Sequence, residues 1–424
     1  MKILFILHVL ICSLLPTQAF SLEGKLPNGL SYFIHQNPSS KKKISIDFIV
    51  RGGSLAENEK ERGFSHLVEH SIGNGLEFKG VKITDPLCPL WDLSAPEFNV
   101  FTSYQFTQYH MEISLAIPDG FQEGLKTISS IFTPFSEANF LTSREEVLKE
   151  ILEIETTPSK KWDKEKIGCE YPLYKNQHPL GDSSCITAAS KEELHDFFKK
   201  WYQPQNCAII IVGNVDSSAT LQLLENSFGS IPITNTLAST EKPSEYLPEG
   251  LEIYYDEKLD QIELTLIKTI PELDYLTFSL WTLALNNHLQ AYLPNYNPRL
   301  EIISHPKLFR IKIYLSQHDL LKGAYDLSDA LSSYEEKKMA LEEFNFYKAY
   351  IKEALQHEIQ NDLYLSRFYR DLFVNESSNE LLSPDAIDAL SLEQFHEITR
   401  NMCVFPRAVL ATNKTSFEGD SHDN

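Results

Sequence analysis

Two stretches about 200 residues apart end in the same way, and this repetition constrains the fold of the 424-residue chain more than any other feature. Lys191 to Trp201 reads as a helix leading into the β-branched strand Ala208-Ile209-Ile210-Ile211-Val212, with Gly213-Asn214 after it. Leu392 to Thr399 reads as a helix too, followed by the strand Ala408-Val409-Leu410-Ala411 and Thr412-Asn413. Leu194 and Phe197 stand 201 residues before Phe395 and Ile398, and Asn214 stands 199 before Asn413. The near-constant offset predicts two homologous halves. Pro-containing polar sequence from Pro232 to Gly250 is the natural joint, placing one domain at 20–235, a linker at 236–250 and a second domain at 251–424. Strands and helices mix without regular βαβ alternation, which favours α+β over a doubly wound sheet.

Composition narrows the partners. With 59 acidic and 38 basic side chains the net charge is −21, so phosphate backbones are repelled and no nucleic acid partner is expected. A cationic or neutral partner fits better. Lys2, the apolar run Ile3 to Leu15 and the small residue Ala19 predict a signal peptide over 1–19, removed after Ala19. The run is shorter than the roughly 20 residues a spanning helix needs, so no membrane anchor is expected after cleavage, and the chain is expected to be secreted or periplasmic. Five cysteines then remain: Cys88, Cys169, Cys185, Cys207 and Cys403. They form no CxxC pair, and Cys169 with Cys185 is the candidate disulfide.

One constellation carries chemistry, His66-Leu67-Val68-Glu69-His70, on a segment patterned as a helix from Phe64 to Ile72. At about 100° per residue its two imidazoles and the carboxylate share one helix face. Two imidazoles one turn apart suit one Zn²⁺, and the carboxylate beside them can take a proton from water held there. Zinc needs a third protein ligand. The spacing Ser143-x-x-Glu146 reads as a capping box that opens a helix ended by Pro158, with Val147, Leu148, Ile151 and Ile154 as its apolar stripe. On that wheel Glu145, Glu146 and Glu153 fall outside the stripe, leaving Glu150 at its edge and Glu155 within it. His357-Glu358-Ile359-Gln360-Asn361 begins like an H-E-x-x-H helix but has Asn361 for the second His, and reads as a solvated face.

These residues resemble the pitrilysin/insulinase family of inverted-motif zinc metallopeptidases. The similar segments are Pro27 to Tyr32, Val50 to Leu55, Arg62 to His70, Val147 to Glu150 and Trp201 to Asp216. The resemblance implies zinc held by His66, His70 and Glu150, with Glu69 as general base. It also implies two domains, each a mainly antiparallel sheet flanked by helices, that together form half of a clamshell. Glu97 to Ser103 resembles the family's Asn-Ala-x-Thr segment, implying that Asn99 binds the substrate backbone, although Val100 stands where Ala is usual.

The second half resembles the family's non-catalytic domain. Such domains often supply an Arg and a Tyr to the scissile carbonyl in an S-R-L…G-x-x-Y context that is missing here. Asn287-His288-Leu289 stands near the expected place, and Tyr292, Tyr296, Arg299 and Arg310 are the available substitutes. The resemblance therefore implies an endopeptidase cutting peptides or unfolded protein segments in a closed chamber. A second copy, or a homologous chain supplying the Arg/Tyr pair, would complete it. The alternative is a non-catalytic subunit or peptide-binding scaffold on the same fold.

Overall fold

Lys43–Val50 and Cys207–Gly213, both rich in Ile and Val, leave no exposed position, so both faces of the sheet they form must be covered. The computed structural model describes residues 20–83, 96–233, 247–259, 262–270, 275–303, 308–315, 320–358, 360–375 and 384–413. The expected signal peptide, Cys88 and most of the expected linker lie outside these residues.

In the first half the chain runs β1 (Phe20–Lys25), β2 (Ser31–Gln36), β3 (Lys43–Val50), α1 (Phe64–Gly73), β4 (Glu77–Phe78), β5 (Val81–Lys82), β6 (Glu97–Thr102) and β7 (Thr107–Ser114). It continues through α2 (Gly120–Ser129), α3 (Glu137–Thr156), α4 (Pro158–Glu170), α5 (Ser183–Ala188), α6 (Lys191–Trp201), β8 (Cys207–Gly213) and α7 (Ser217–Phe228). The second half begins with β9 (Gly250–Tyr255), β10 (Ile262–Thr269), α8 (Tyr275–Tyr292), β11 (Arg299–Ile303) and β12 (Leu308–Leu315). Then follow α9 (Leu320–Glu336), α10 (Leu341–Glu358), α11 (Asp362–Asn375), α12 (Pro384–Ala389), α13 (Leu392–Ile398) and β13 (Arg407–Thr412).

Two large sheets result, ordered β1-β2-β8-β3-β7-β6 and β11-β12-β10-β13-β9, beside the small β4–β5 ribbon. All pairings within them are antiparallel except β2 with β8 and β9 with β13. This is the expected α+β arrangement of mainly antiparallel sheets flanked by helices. The repeat read from the sequence reappears as two capping boxes. Ser190 with Glu193 opens α6, and Ser391 with Gln394 opens α13.

Each half lends a helix to the other. From the second half, α11 buries Leu365, Tyr369, Leu372 and Phe373 against Ile49, Ala208, Ile210 and Val212 of the first sheet. In return α4 lays Trp162 and Ile167 against Ile267, Leu308, Val409 and Ala411 of the second. Polar groups register both contacts. Asp47, wholly buried, accepts from Gln108 at 2.6 Å and pairs with His110 at 2.7 Å, and Ser366 of α11 donates to it. Lys166 of α4 pairs with Glu263 at 2.5 Å, and Arg310 pairs with Glu170.

Two expectations are corrected. The carboxylate-rich helix starts earlier than Ser143, at Glu137, where the Ser136 hydroxyl accepts the Asn139 N–H at 3.1 Å. Ser143 is buried inside α3 and accepts a side-chain hydrogen bond from Asn74 instead, because a Ser-x-x-Glu spacing marks a start only where the backbone before it leaves the helix. Cys169 and Cys185 are free thiols. Cys169 lies on α4 with its partly buried side chain against the second sheet, while Cys185 on α5 points its Sγ toward the Glu59 carbonyl at 3.5 Å.

Leu365 is fully buried between the halves, so Leu365→Ala should cost about 2–5 kcal/mol in urea unfolding monitored by tryptophan fluorescence. A loss under about 0.5 kcal/mol would show that the borrowed helix contributes nothing to stability.

Candidate metal centre

The helix α1 is held at its N-terminus by a carboxylate from outside it. Glu57 accepts the N–H of Gly63 at 2.8 Å and of Ser65 at 2.7 Å, filling the role a capping side chain would play. Gly63 has φ of 95°, and a Cβ there would press on Ile186 at 2.8 Å and Gly181 at 3.0 Å. That close approach, available only to glycine, seats the start of α1 against the loop before α5. Leu67, Val68 and Ile72 then face the core, which leaves His66, Glu69 and His70 turned toward α3 and β6.

The structure brings together all four residues expected at the centre. The imidazole rings stand 4.7 Å apart, nearly perpendicular at 82°. Glu150 sits between them, with Oε2 3.4 Å from His66 Nε2 and Oε1 3.5 Å from His70 Nε2. Glu155, the other residue left by the helical wheel, instead pairs with Lys164 at 3.2 Å. Among the described residues, His66, Glu69 and His70 form the one cluster of three metal-ligating types whose atoms all lie within 4.8 Å of one another.

Glu69 and Glu150 are placed for different work. Glu69 is 7% exposed and accepts the Thr102 hydroxyl at 2.7 Å. Burial pushes its carboxyl up to about 7, against the opposing pull of that hydrogen bond. Burial, with the neighbouring His70, drives the His66 imidazole down to about 3, so it is neutral with a lone pair to give. The contacts of Glu150 to the two imidazoles exceed the 2.7–2.9 Å or so of a charge-assisted hydrogen bond. A carboxylate that reaches both imidazole Nε2 atoms makes, with them, a nitrogen–oxygen donor set of the kind zinc takes. The donor set therefore fits zinc.

Sequence reasoning missed several supports. Glu146, which the wheel set aside, meets His70 Nδ1 at 3.2 Å and is itself held by Asn74 at 2.8 Å. This is the kind of partner that orients a ligating imidazole. Its signal was the four-residue spacing to Glu150, which puts both on one face of α3. Thr102 sits on β6, an edge strand of the sheet, and Asn99 lies on the same strand, exposed and by alternation on the opposite face. The four substitutes for the Arg/Tyr pair are engaged elsewhere. Tyr292 bonds Asp329 at 2.6 Å and Tyr296 bonds Asp326 at 2.8 Å. Arg299 lies over the Tyr314 ring, and Arg310 is buried against Glu170 and Glu301.

Comparison with known proteins decides the family. Residues 32–167, which include all four clustered residues, match the model described as Insulinase (Peptidase family M16), and residues 188–349 match Peptidase M16 inactive domain. The chain belongs to the pitrilysin/insulinase family. Among M16 relatives, the probable zinc protease PqqL of Haemophilus influenzae is 29% identical over 54% of this chain and 27% of its own length. The Escherichia coli protein of the same name is 23% identical over 92% of this chain and 45% of its own length. The chain thus spans less than half the length of these curated relatives. The crystal structure of the periplasmic protease PqqL from Escherichia coli shares the fold with a TM-score of 0.74 at 18% identity, covering 94% of this chain and 48% of that one. A protease from Helicobacter pylori gives 0.74 at 16% identity, covering 93% and 99%. The fold expected from the resemblance, mainly antiparallel sheets flanked by helices, is borne out. Among the described residues no helix is long and apolar enough to cross a membrane.

Because Glu57 caps α1 from outside, Glu57→Ala should strand two buried N–H donors and cost about 1–3 kcal/mol by thermal denaturation. An unchanged midpoint would mean that the α1 N-terminus is held by the glycine contact alone.

Proposed function

We propose that this chain is a zinc-dependent endopeptidase that hydrolyses peptides or unfolded protein segments. The observation that carries this reading is Glu150 spanning both imidazoles at 3.4 and 3.5 Å while Glu69 stays buried beside them and outside that bridge. His66, His70 and Glu150 would hold the ion. When bound, zinc supplies Lewis-acid polarisation of a water molecule and of the scissile carbonyl.

The remaining work falls to the chain. Glu69 takes a proton from water and returns it to the leaving amine, a role suited to a carboxyl whose burial raises its affinity for the proton. The Thr102 hydroxyl fixes the carboxyl's orientation. Glu146 orients His70 through Nδ1. The outer edge of β6, unpaired among the described residues, offers backbone groups to an extended peptide, and Asn99 on that strand binds its main chain. Because Arg299, Arg310, Tyr292 and Tyr296 are all engaged elsewhere, a companion supplies the remaining groups at the carbonyl and closes the chamber. That companion is a second copy or a homologous chain. The same engagement favours the second reading, a peptide-binding scaffold. The periplasmic relative supports a secreted or periplasmic site of action.

Purified residues 20–424, loaded with zinc, should cleave a quenched fluorescent peptide library. Glu69→Gln should keep one zinc per chain by mass spectrometry and lose about 10²-fold or more in kcat. Zinc bound by the parent without cleavage, alone or with a homologous chain added, would leave the scaffold reading. Glu150→Ala should abolish stoichiometric zinc binding, and Glu146→Ala should weaken it about 10–100-fold in a competition assay with a chelator. Full zinc affinity in Glu150→Ala would refute the ligand assignment.

A further inference from the structure

The two halves differ at one matched place. A helix opened by a capping box stands near the end of each, α6 or α13, and in both a histidine follows the capping serine by five residues, His195 and His396. In the first half that histidine is satisfied. Its Nε2 meets the Phe135 carbonyl at 3.3 Å, and the Phe135 ring packs 4.6 Å from the imidazole and 6.0 Å from the Phe198 ring. Phe135 stands two residues before α3, and Met339 stands two before the matching helix α10. Thr399 follows Phe198 by 201 residues, the offset that also separates the two histidines. The second half thus lacks both rings. His396 Nε2 is buried and meets no hydrogen-bond partner among the described residues, a condition that native interiors rarely leave unfilled. Beside it lies a cavity of about 480 Å³, lined by His396, Met339 and Thr399. That volume falls within the roughly 300–1,000 Å³ of small-molecule sites. The buried rings of Trp281, Tyr347 and Phe395 wall it. Lys337, Lys338 and Arg400 bring three cations to it, against the carboxylates of Glu335 and Glu343. Glu335 is committed to the Cys403 N–H at 3.0 Å.

We propose that this cavity binds a small aromatic carboxylate. The first half supplies the pattern, because Phe135 presents a ring and a carbonyl oxygen to His195 together. The ligand's ring packs among the aromatic walls, in the space that Met339 and Thr399 leave open. One carboxylate oxygen accepts from His396 Nε2, and the charge is balanced by Lys337, Lys338 and Arg400. Free aromatic amino acids and the C-terminal residue of a peptide both present this chemistry. The inference is independent of the peptidase reading.

The full chain bearing Glu69→Gln, which leaves peptide probes uncut, is titrated with N-acetyl-phenylalanine by ligand-observed NMR. The acid should bind with a Kd of about 1 mM or tighter, and at least about tenfold more tightly than N-acetyl-phenylalanine amide or N-acetyl-alanine. Thr399→Phe restores the ring that the first half carries, and should weaken binding about tenfold or more without lowering the melting midpoint. Arg400→Glu, at an exposed position of the rim, should weaken the acid about tenfold and erase its advantage over the amide. Lys199→Glu, the matched position on α6, should change neither. If Thr399→Phe melts earlier than the parent, Arg400→Glu decides alone. A hexapeptide of Gly and Ala ending in a free Phe carboxylate identifies the source. Binding as tight as that of the acid assigns the site to peptide C-termini, and weaker binding assigns it to free acids. No binding of the acid at about 5 mM, equal binding of acid and amide, or indifference to both cavity substitutions overturns the proposal.

Discussion

The exchange of helices between the halves is the constraint on which everything else rests. Each sheet has one face covered by its own helices and the other by a helix borrowed from the opposite half. The borrowed contacts combine apolar packing with buried charge, Lys166 against Glu263 and Glu170 against Arg310. Removing one member of such a pair leaves the other uncompensated in a low-dielectric setting, so the charges fix register as well as contact. The consequence reaches the metal centre through the chain itself. Helix α4 follows α3 after Thr157 alone, with Pro158 at its first position, so the helix carrying Glu146 and Glu150 is tied to the one docked on the second sheet.

Within the centre, burial divides the labour among similar side chains. Glu69 is buried and His66 largely so, which raises one carboxyl toward neutrality and keeps one imidazole uncharged. The Glu150 side chain is 45% exposed, and Glu146 spends its carboxylate on His70 and Asn74. Three glutamates thus acquire three environments from two helices. The same fold keeps the second half's Arg310 for structure, because its guanidinium is closed in by Glu170 and Glu301.

Much of this was legible in the sequence where the pattern is local. Helix α1, strands β3 and β8 and helix α6 lie where period and capping residues put them. The helical wheel left Glu150 and Glu155 as candidates for a third ligand, and the family resemblance pointed to Glu150, the one that spans the two imidazoles. The same wheel misplaced Glu146, because polarity relative to an apolar stripe says nothing about a neighbouring helix that brings its own polar face. Ser143 misled for a related reason. A hydroxyl four residues from the next turn looks alike at a helix start and inside a helix whose partner offers Asn74. Thr102 fell within the segment resembling Asn-Ala-x-Thr, yet its contact with Glu69, 33 residues away, left no local pattern to read.

The sequence by itself determined the repeat, the type of each half and the helix face shared by His66, Glu69 and His70. All follow from periodicities of a few residues and from chain-wide spacing. Only the tertiary structure decided which glutamate spans the imidazoles and which one contacts His70 Nδ1. Those outcomes depend on how separate elements pack in space, and a contact between distant segments leaves no period in the chain to read.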